Sequence, residues 1–240
     1  EYSFHDYCVE LVREDSTFAR RVDDAARRIL KVKDSLGLFE NNVPFEEDLK
    51  LIGNDESHLA NLEFAEESII LAKNYVNQLP LNKNDSKNIL ITGATANLIK
   101  VLNSGWSYVW QGDNEEYFQT FGRPKKTVQE AIKEKIPDQK NVEHIEGANF
   151  THLLWNDSDQ KTAEKSHVII LCIGEDTYTE VLGNINNLDL SKSQQQLAEK
   201  VFALGKPVVL VYVGGRPRII TDIARKANAV VLAFLPGNKI

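Results

Sequence analysis

His167-Val168-Ile169-Ile170-Leu171-Cys172-Ile173-Gly174 holds an unbroken apolar run rich in β-branched residues, closed by a glycine and the acidic stretch Glu175-Asp176. A strand apolar at both its odd and its even positions is buried on both faces, as in a parallel sheet covered by helices on either side. Shorter runs flank it, Asn88–Thr92 and Asn141–Ile145 before, Pro207–Val213 and Ala229–Leu235 after. Between them fall helical patterns at Asn97–Leu102, Thr127–Lys135, Ser191–Leu204 and Ile219–Arg225. The alternation predicts an α/β domain whose mainly parallel sheet is sandwiched by helices. In such a sheet ligands bind beyond the carboxyl ends of the strands. The loops after Thr92, Ile173, Val213 and Leu235 are therefore the ones to inspect.

Upstream, an amphipathic pattern predicts a helix from about His58 to Tyr75. The stretch from Asn41 to about Asp55 is rich in Asn, Pro, Glu and Asp and reads as a linker. The first forty residues carry two more helical faces, Phe4-Tyr7-Cys8-Leu11-Val12 and Val22-Ala25-Ala26-Ile29-Leu30-Val32. Asp23 and Asp24 are expected in the first turn of the second helix, and Gly37 is placed to stop it.

The composition of the 240 residues, 26% charged and 42% hydrophobic, is that of a globular protein. Its apolar runs fall far short of the roughly 18–20 residues of a membrane-spanning helix. A net charge of −7 without a basic stripe argues against nucleic-acid binding. Two cysteines, Cys8 and Cys172, make no disulfide framework, and no Cys/His spacing proposes a metal. Cys172 reads as a core residue. The sequence begins without Met and contains none, so no leader can be read and the chain is expected to be part of something longer.

Four loops could carry chemistry. Gly93-Ala94-Thr95-Ala96-Asn97 invites a phosphate-loop reading but lacks both the dinucleotide fingerprint and the Lys-Ser/Thr of a Walker loop, which favours a plain turn. Gly105-Trp106-Ser107-Tyr108-Val109-Trp110-Gln111-Gly112 sets two indoles four residues apart, either as platforms for sugar rings or as core. Gly174-Glu175-Asp176-Thr177-Tyr178-Thr179-Glu180 holds three carboxylates, suited to acid/base work or simply solvated. Val213-Gly214-Gly215-Arg216-Pro217 offers Arg216 as a partner for a carboxylate or a neighbouring domain. The five histidines form no triad or metal spacing, and the sequons at Asn84, Asn149 and Asn156 are short enough to be fortuitous.

Taken in order, these stretches resemble glycoside hydrolase family 3, the β-glucosidase and exo-glucanase family. The resemblance runs through Val22–Lys33, Leu36–Phe39, Ala65–Asn74, the two-Trp loop, Gly174–Glu180, Gly205–Pro217 and Leu235-Pro236-Gly237, nearly the whole chain. It implies a (β/α)8-type barrel followed by an α/β sandwich, with sugar held between them. Residues 1–40 would be the last helical part of the barrel, 41–56 the interdomain linker and 57–240 the sandwich, truncated at its carboxyl end. It further implies retaining hydrolysis of terminal non-reducing β-D-glucosyl residues, with an Asp nucleophile on missing upstream chain and no cofactor or metal. Glu180, the last carboxylate of its motif, is then the acid/base, with Glu175 as runner-up. Trp110 walls the aglycone slot, Trp106 packs, and Arg216 is possible support. The partners implied are a β-glucoside or oligosaccharide and the missing barrel, without nucleic acid or membrane span, and a secreted or periplasmic setting is favoured. The chain alone is expected to be inactive. The alternatives are β-xylosidase or N-acetylglucosaminidase activity, or a non-catalytic module binding sugar or nucleotide.

Overall fold

The computed structural model describes residues 2–41, 43, 45–84, 87–120 and 124–237. The chain divides into two compact units, Glu1–Ser57 and His58–Ile240. In the first, helices α1 (Ser3–Glu14) and α2 (Ser16–Ser35) meet at Asp15, whose carboxylate caps α2 by accepting from the Thr17 amide at 2.7 Å. Asp23 and Asp24 therefore lie mid-helix rather than in the first turn, because Asp15 supplies the start signal. The apolar faces of the two helices are present, but none of their residues is buried. A short turn, Asp48–Leu51, follows within the stretch read as linker.

Helix α3 (Asp55–Ser68) ends earlier than its sequence pattern predicts. The chain then extends as strand β1 (Ile70–Asn74). The second unit continues with β2 (Ile89–Thr92), α4 (Lys100–Asn103), α5 (Glu115–Thr120), α6 (Val128–Lys135), β3 (Val142–Ile145), α7 (Asp157–Glu164), β4 (Val168–Gly174), α8 (Lys192–Ala203), β5 (Val208–Val213), α9 (Thr221–Lys226) and β6 (Ala229–Phe234). The sheet order is β1-β6-β5-β4-β2-β3, with every pair parallel except the edge pair β1–β6. This is the α/β sandwich expected from the apolar runs, and the five parallel strands fall where the runs lie.

Strand β4 is the axis of the core, and all seven of its residues are buried. Ile170 and Cys172 point to one face, where they join Ile89, Ile91, Val209 and α6 residue Val128. Ile169, Leu171 and Ile173 point to the other, against Leu197 and Val201 of α8 and Leu210 of β5. Burying each such Ile or Leu contributes about 1.5–3 kcal/mol. Burial pushes the Cys172 thiol up to about 12, so it stays neutral and packs as a small apolar group. From β2 the chain goes to β3 on one side and then to β4 on the other, so the strand order reverses between β2 and β4. Crevices at such a reversal are where open α/β sheets bind ligands.

Candidate functional site

The loops after β2, β4, β5 and β6 meet over the carboxyl end of the sheet around a cavity of about 430 Å³. Its walls include Ser104, Gly105 and Trp106 from the first loop, Thr179 and Glu180 from the second and Arg216 from the third. A larger groove of about 800 Å³ lies on the α6 face of the sheet, lined almost wholly by residues such as Leu79, Ile132, Val211 and Val231. It lacks the convergent polar groups that orient a ligand. The smaller cavity has Ser104, Thr179, Glu180 and Arg216 in its walls.

The two-Trp loop is held by its own backbone. Ser104, Trp106 and Tyr108 all have positive φ, 63°, 62° and 60°, and the Trp106 amide donates to the Trp110 carbonyl at 3.0 Å. Such tight turning throws the indoles outward: Trp106 is 69% exposed and Trp110 50%. The expectation that Trp106 packs is thus corrected, since it stands in the cavity wall rather than in the core. Tyr108 is the aromatic residue that anchors the loop, edge-on to buried Phe118 with ring centroids 5.1 Å apart. Gly112 closes the turn at φ +63°, where a β-carbon would sit 2.0 Å from the Ser104 carbonyl oxygen.

This loop is buttoned to the acidic loop. The Gln111 side chain accepts from the Thr179 amide at 3.1 Å and donates to its hydroxyl at 2.5 Å. The same hydroxyl donates to the Trp110 carbonyl at 3.3 Å. Gly105 presses against Thr179 so closely that a β-carbon there would fall 1.8 Å from Thr179 Cγ2. Glu180 comes next, exposed, at φ +48°, opening a one-turn segment that ends at Gly183. Thr179 thus ties the Trp110 carbonyl to the residue before Glu180, while the indole that stands in the cavity wall is that of Trp106.

Glu175 sits in different surroundings. Its side chain is 3% exposed and lies between two guanidinium groups. Arg216 Nε donates to Oε1 at 2.7 Å, the Arg216 amide donates to Oε2 at 3.3 Å, and Arg218 Nε forms an ion pair with Oε1 at 2.9 Å. Tyr178 and Tyr212 border this pair. Burial, and next the Glu175 carboxylate, raise both phenols above their ordinary value. At the end of β4 the buried Gln194 both accepts from the Gly174 amide at 2.9 Å and donates to its carbonyl at 3.0 Å. Asp176 pairs with Lys100 of α4 at 2.8 Å. Sequence reasoning singled out Arg216 but missed Arg218 and Gln194. The spacing Arg216-Pro217-Arg218 was the available signal for the first; nothing local marks the second.

The Gly93–Asn97 turn carries no phosphate cradle. The amides of Ile99 and Lys100, which would face an anion, already donate to the Glu115 carboxylate at 2.8 and 2.9 Å. Among the described residues no group of three or more His, Cys, Asp or Glu side chains is placed to hold a metal, and no helix is long and apolar enough to cross a membrane.

Comparison with known proteins agrees with this architecture. Residues 69–240 match the model of the glycosyl hydrolase family 3 C-terminal domain. The chain is 36% identical over 245 residues to a lysosomal beta glucosidase of Dictyostelium discoideum, an alignment that covers 100% of the chain and 30% of that relative. It is 27% identical to a beta-xylosidase of Formosa agariphila, covering 95% of the chain and 31% of the relative. The crystal structure of an exo-1,3/1,4-beta-glucanase from a Pseudoalteromonas species superposes with a TM-score of 0.78 at 27% identity, over 98% of this chain and 28% of that one. The chain spans about a third or less of the length of each protein it resembles. With the family model matching most of its length, the chain belongs to glycoside hydrolase family 3 and carries that family's C-terminal domain.

Proposed function

We propose that this domain supplies the proton donor, Glu180, and an aromatic sugar platform, Trp110, to a retaining β-glucosidase that removes terminal non-reducing glucosyl residues. The observation that carries the reading is the position of Glu180: an exposed carboxylate at the carboxyl end of the sheet, in the wall of a polar cavity, one residue from the link to the Trp loop. A retaining glycosidase needs two carboxyl groups about 5–5.5 Å apart. The second, an Asp nucleophile, is assigned to an N-terminal barrel in the roughly two thirds of its relatives that the chain does not span. In the first step the Asp attacks the anomeric carbon while Glu180 protonates the leaving oxygen. In the second, Glu180 as carboxylate takes a proton from the incoming water.

Glu175 is the poorer candidate on physical grounds. A carboxylate held between two guanidinium groups and nearly without solvent contact is kept ionised and in place, and moving it to a leaving group would take the carboxylate away from both arginines. The exposed indole of Trp110 offers a face to the apolar side of a sugar ring. β-Xylosidase activity is the second reading, favoured by the Formosa relative. The glycone pocket that would decide it is assigned to the barrel. The lysosomal name of the Dictyostelium relative supports an enzyme working outside the cytosol.

Glu180→Ala in the full-length protein tests the assignment. Turnover of an aryl β-glucoside is expected to fall about 10²–10⁴-fold, the usual contribution of a general acid, with glucose binding kept. Unchanged turnover would favour a non-catalytic sugar-binding module.

A further inference from the structure

Arg216 reaches from the loop after β5 to three points on the segment that carries Glu180. Its Nε donates to Glu175 at the start of that segment, its guanidinium carbon lies 3.9 Å from the centroid of the Tyr178 ring in the middle, and its Nη1 donates to the Gly183 carbonyl at the end, at 2.6 Å. Its own carbonyl accepts from the Tyr212 hydroxyl at 2.6 Å, which ties the clasp to β5. On the other side of the segment, Thr179 is fixed by Gln111. Only the arc of Glu180, Val181 and Leu182 is left between the two anchors, and both apolar side chains in it are exposed, 77% and 68%. Within this domain the direction of the Glu180 side chain is therefore set by where its anchors hold the backbone, not by packing of the arc against the rest of the domain.

We propose that Arg216 is a positioning residue for the reaction: by joining Glu175, Tyr178 and Gly183 it aims the Glu180 carboxyl at the leaving oxygen. This rests on the reading of Glu180 as proton donor. The role requires a planar guanidinium. Lysine would keep the charge beside Glu175 but, as a compact ammonium on a flexible stem, cannot stack on Tyr178 while donating in fixed directions to Glu175 and Gly183.

The test compares Arg216→Lys with the parent full-length enzyme on two substrates. Phenyl β-glucoside needs protonation of its leaving oxygen, whereas 2,4-dinitrophenyl β-glucoside departs without it. A mis-aimed acid is expected to lower kcat/KM on the phenyl substrate about 10²-fold and to change it on the dinitrophenyl substrate by less than about threefold. Equal losses on both substrates, or no loss on either, would overturn the proposal. Glu180→Gln is measured alongside. If it shows the leaving-group-selective loss and Arg216→Lys does not, the positioning role alone fails; if it leaves the phenyl substrate unaffected, the donor assignment fails and the proposal with it. Should Arg216→Lys not fold, Tyr178→Leu decides, since it withdraws the ring and keeps the hydrogen bonds of Arg216. A selective loss of about tenfold on the phenyl substrate is then expected, and an unselective loss or none counts against the clasp.

Discussion

Glu180 holds a left-handed backbone conformation at φ +48°, which costs a non-glycine residue on the order of 1–2 kcal/mol and persists only where neighbours enforce it. Those neighbours are the Gln111–Thr179 pair and the contact between Gly105 and Thr179. Because a methyl at Gly105 would fall 1.8 Å from Thr179 Cγ2, Gly105→Ala must push the two loops apart. It is expected to cost about 1–3 kcal/mol, as overpacking does, seen as a lower urea midpoint of this chain, and to reduce turnover of the full-length enzyme. The carboxylates and indoles themselves were legible in the sequence, as types of residue at a spacing. Their environments were not. The enclosure of Glu175 by Arg216 and Arg218 joins residues about forty positions apart, and the exposure of Trp106 follows from positive φ at Ser104, Trp106 and Tyr108, which no hydrophobic period reports.

Among the elements, the five parallel strands could be read directly because double-sided burial writes an uninterrupted apolar run. Strand β1 could not: it is an antiparallel edge strand, at most half-buried, and Ile69-Ile70-Leu71 continues the apolar face of the helix before it. Helix α7 was missed because it is polar, although its capping box of Asn156 and Asp159 was a usable start signal. What docks β1 is a long-range contact. Lys73 Nζ donates to the carbonyls of Ala224, Arg225 and Ala227 at 3.1, 2.8 and 2.5 Å, meeting the negative end of α9. Lys73→Ala is expected to cost about 1.5–3 kcal/mol, the range for hydrogen bonds to a charged group, and to raise hydrogen exchange selectively in β1. On the opposite edge, burial holds His144 of β3 below its ordinary value of 6.5, and its buried Nε2 has no hydrogen-bond partner among the described residues. A lowered histidine adds stability that is complete above pH 6.5 and is lost as pH falls through the folded-state value. The drop in thermal midpoint between about pH 7.5 and about pH 5 is therefore expected to be smaller in His144→Leu than in the parent; an unchanged slope would assign it to other groups.

For the molecule as a whole, the proposed assignment makes the sheet, its four converging loops and the ion-paired base of the acidic loop one half of a catalytic site. A proton donor without a nucleophile has no reaction to serve, so the isolated 240-residue chain is expected to show no turnover of aryl β-glucosides, and measurable hydrolysis by it would place both carboxyl groups within this domain. The proposed division of labour draws on the resemblance to family 3 alone, because composition and periodicity describe the domain and say nothing of a complementary one. The most direct measurement is azide rescue of Glu180→Ala in the full-length enzyme, acting on 2,4-dinitrophenyl β-glucoside. Once the acid/base carboxyl is gone, water attacks the glycosyl-enzyme slowly and an anionic nucleophile needing no deprotonation can take its place. If Glu180 has that role, azide raises the rate at least about tenfold and the product is β-glucosyl azide, with retained configuration. No acceleration and no azide adduct would show that the proton donor is another group.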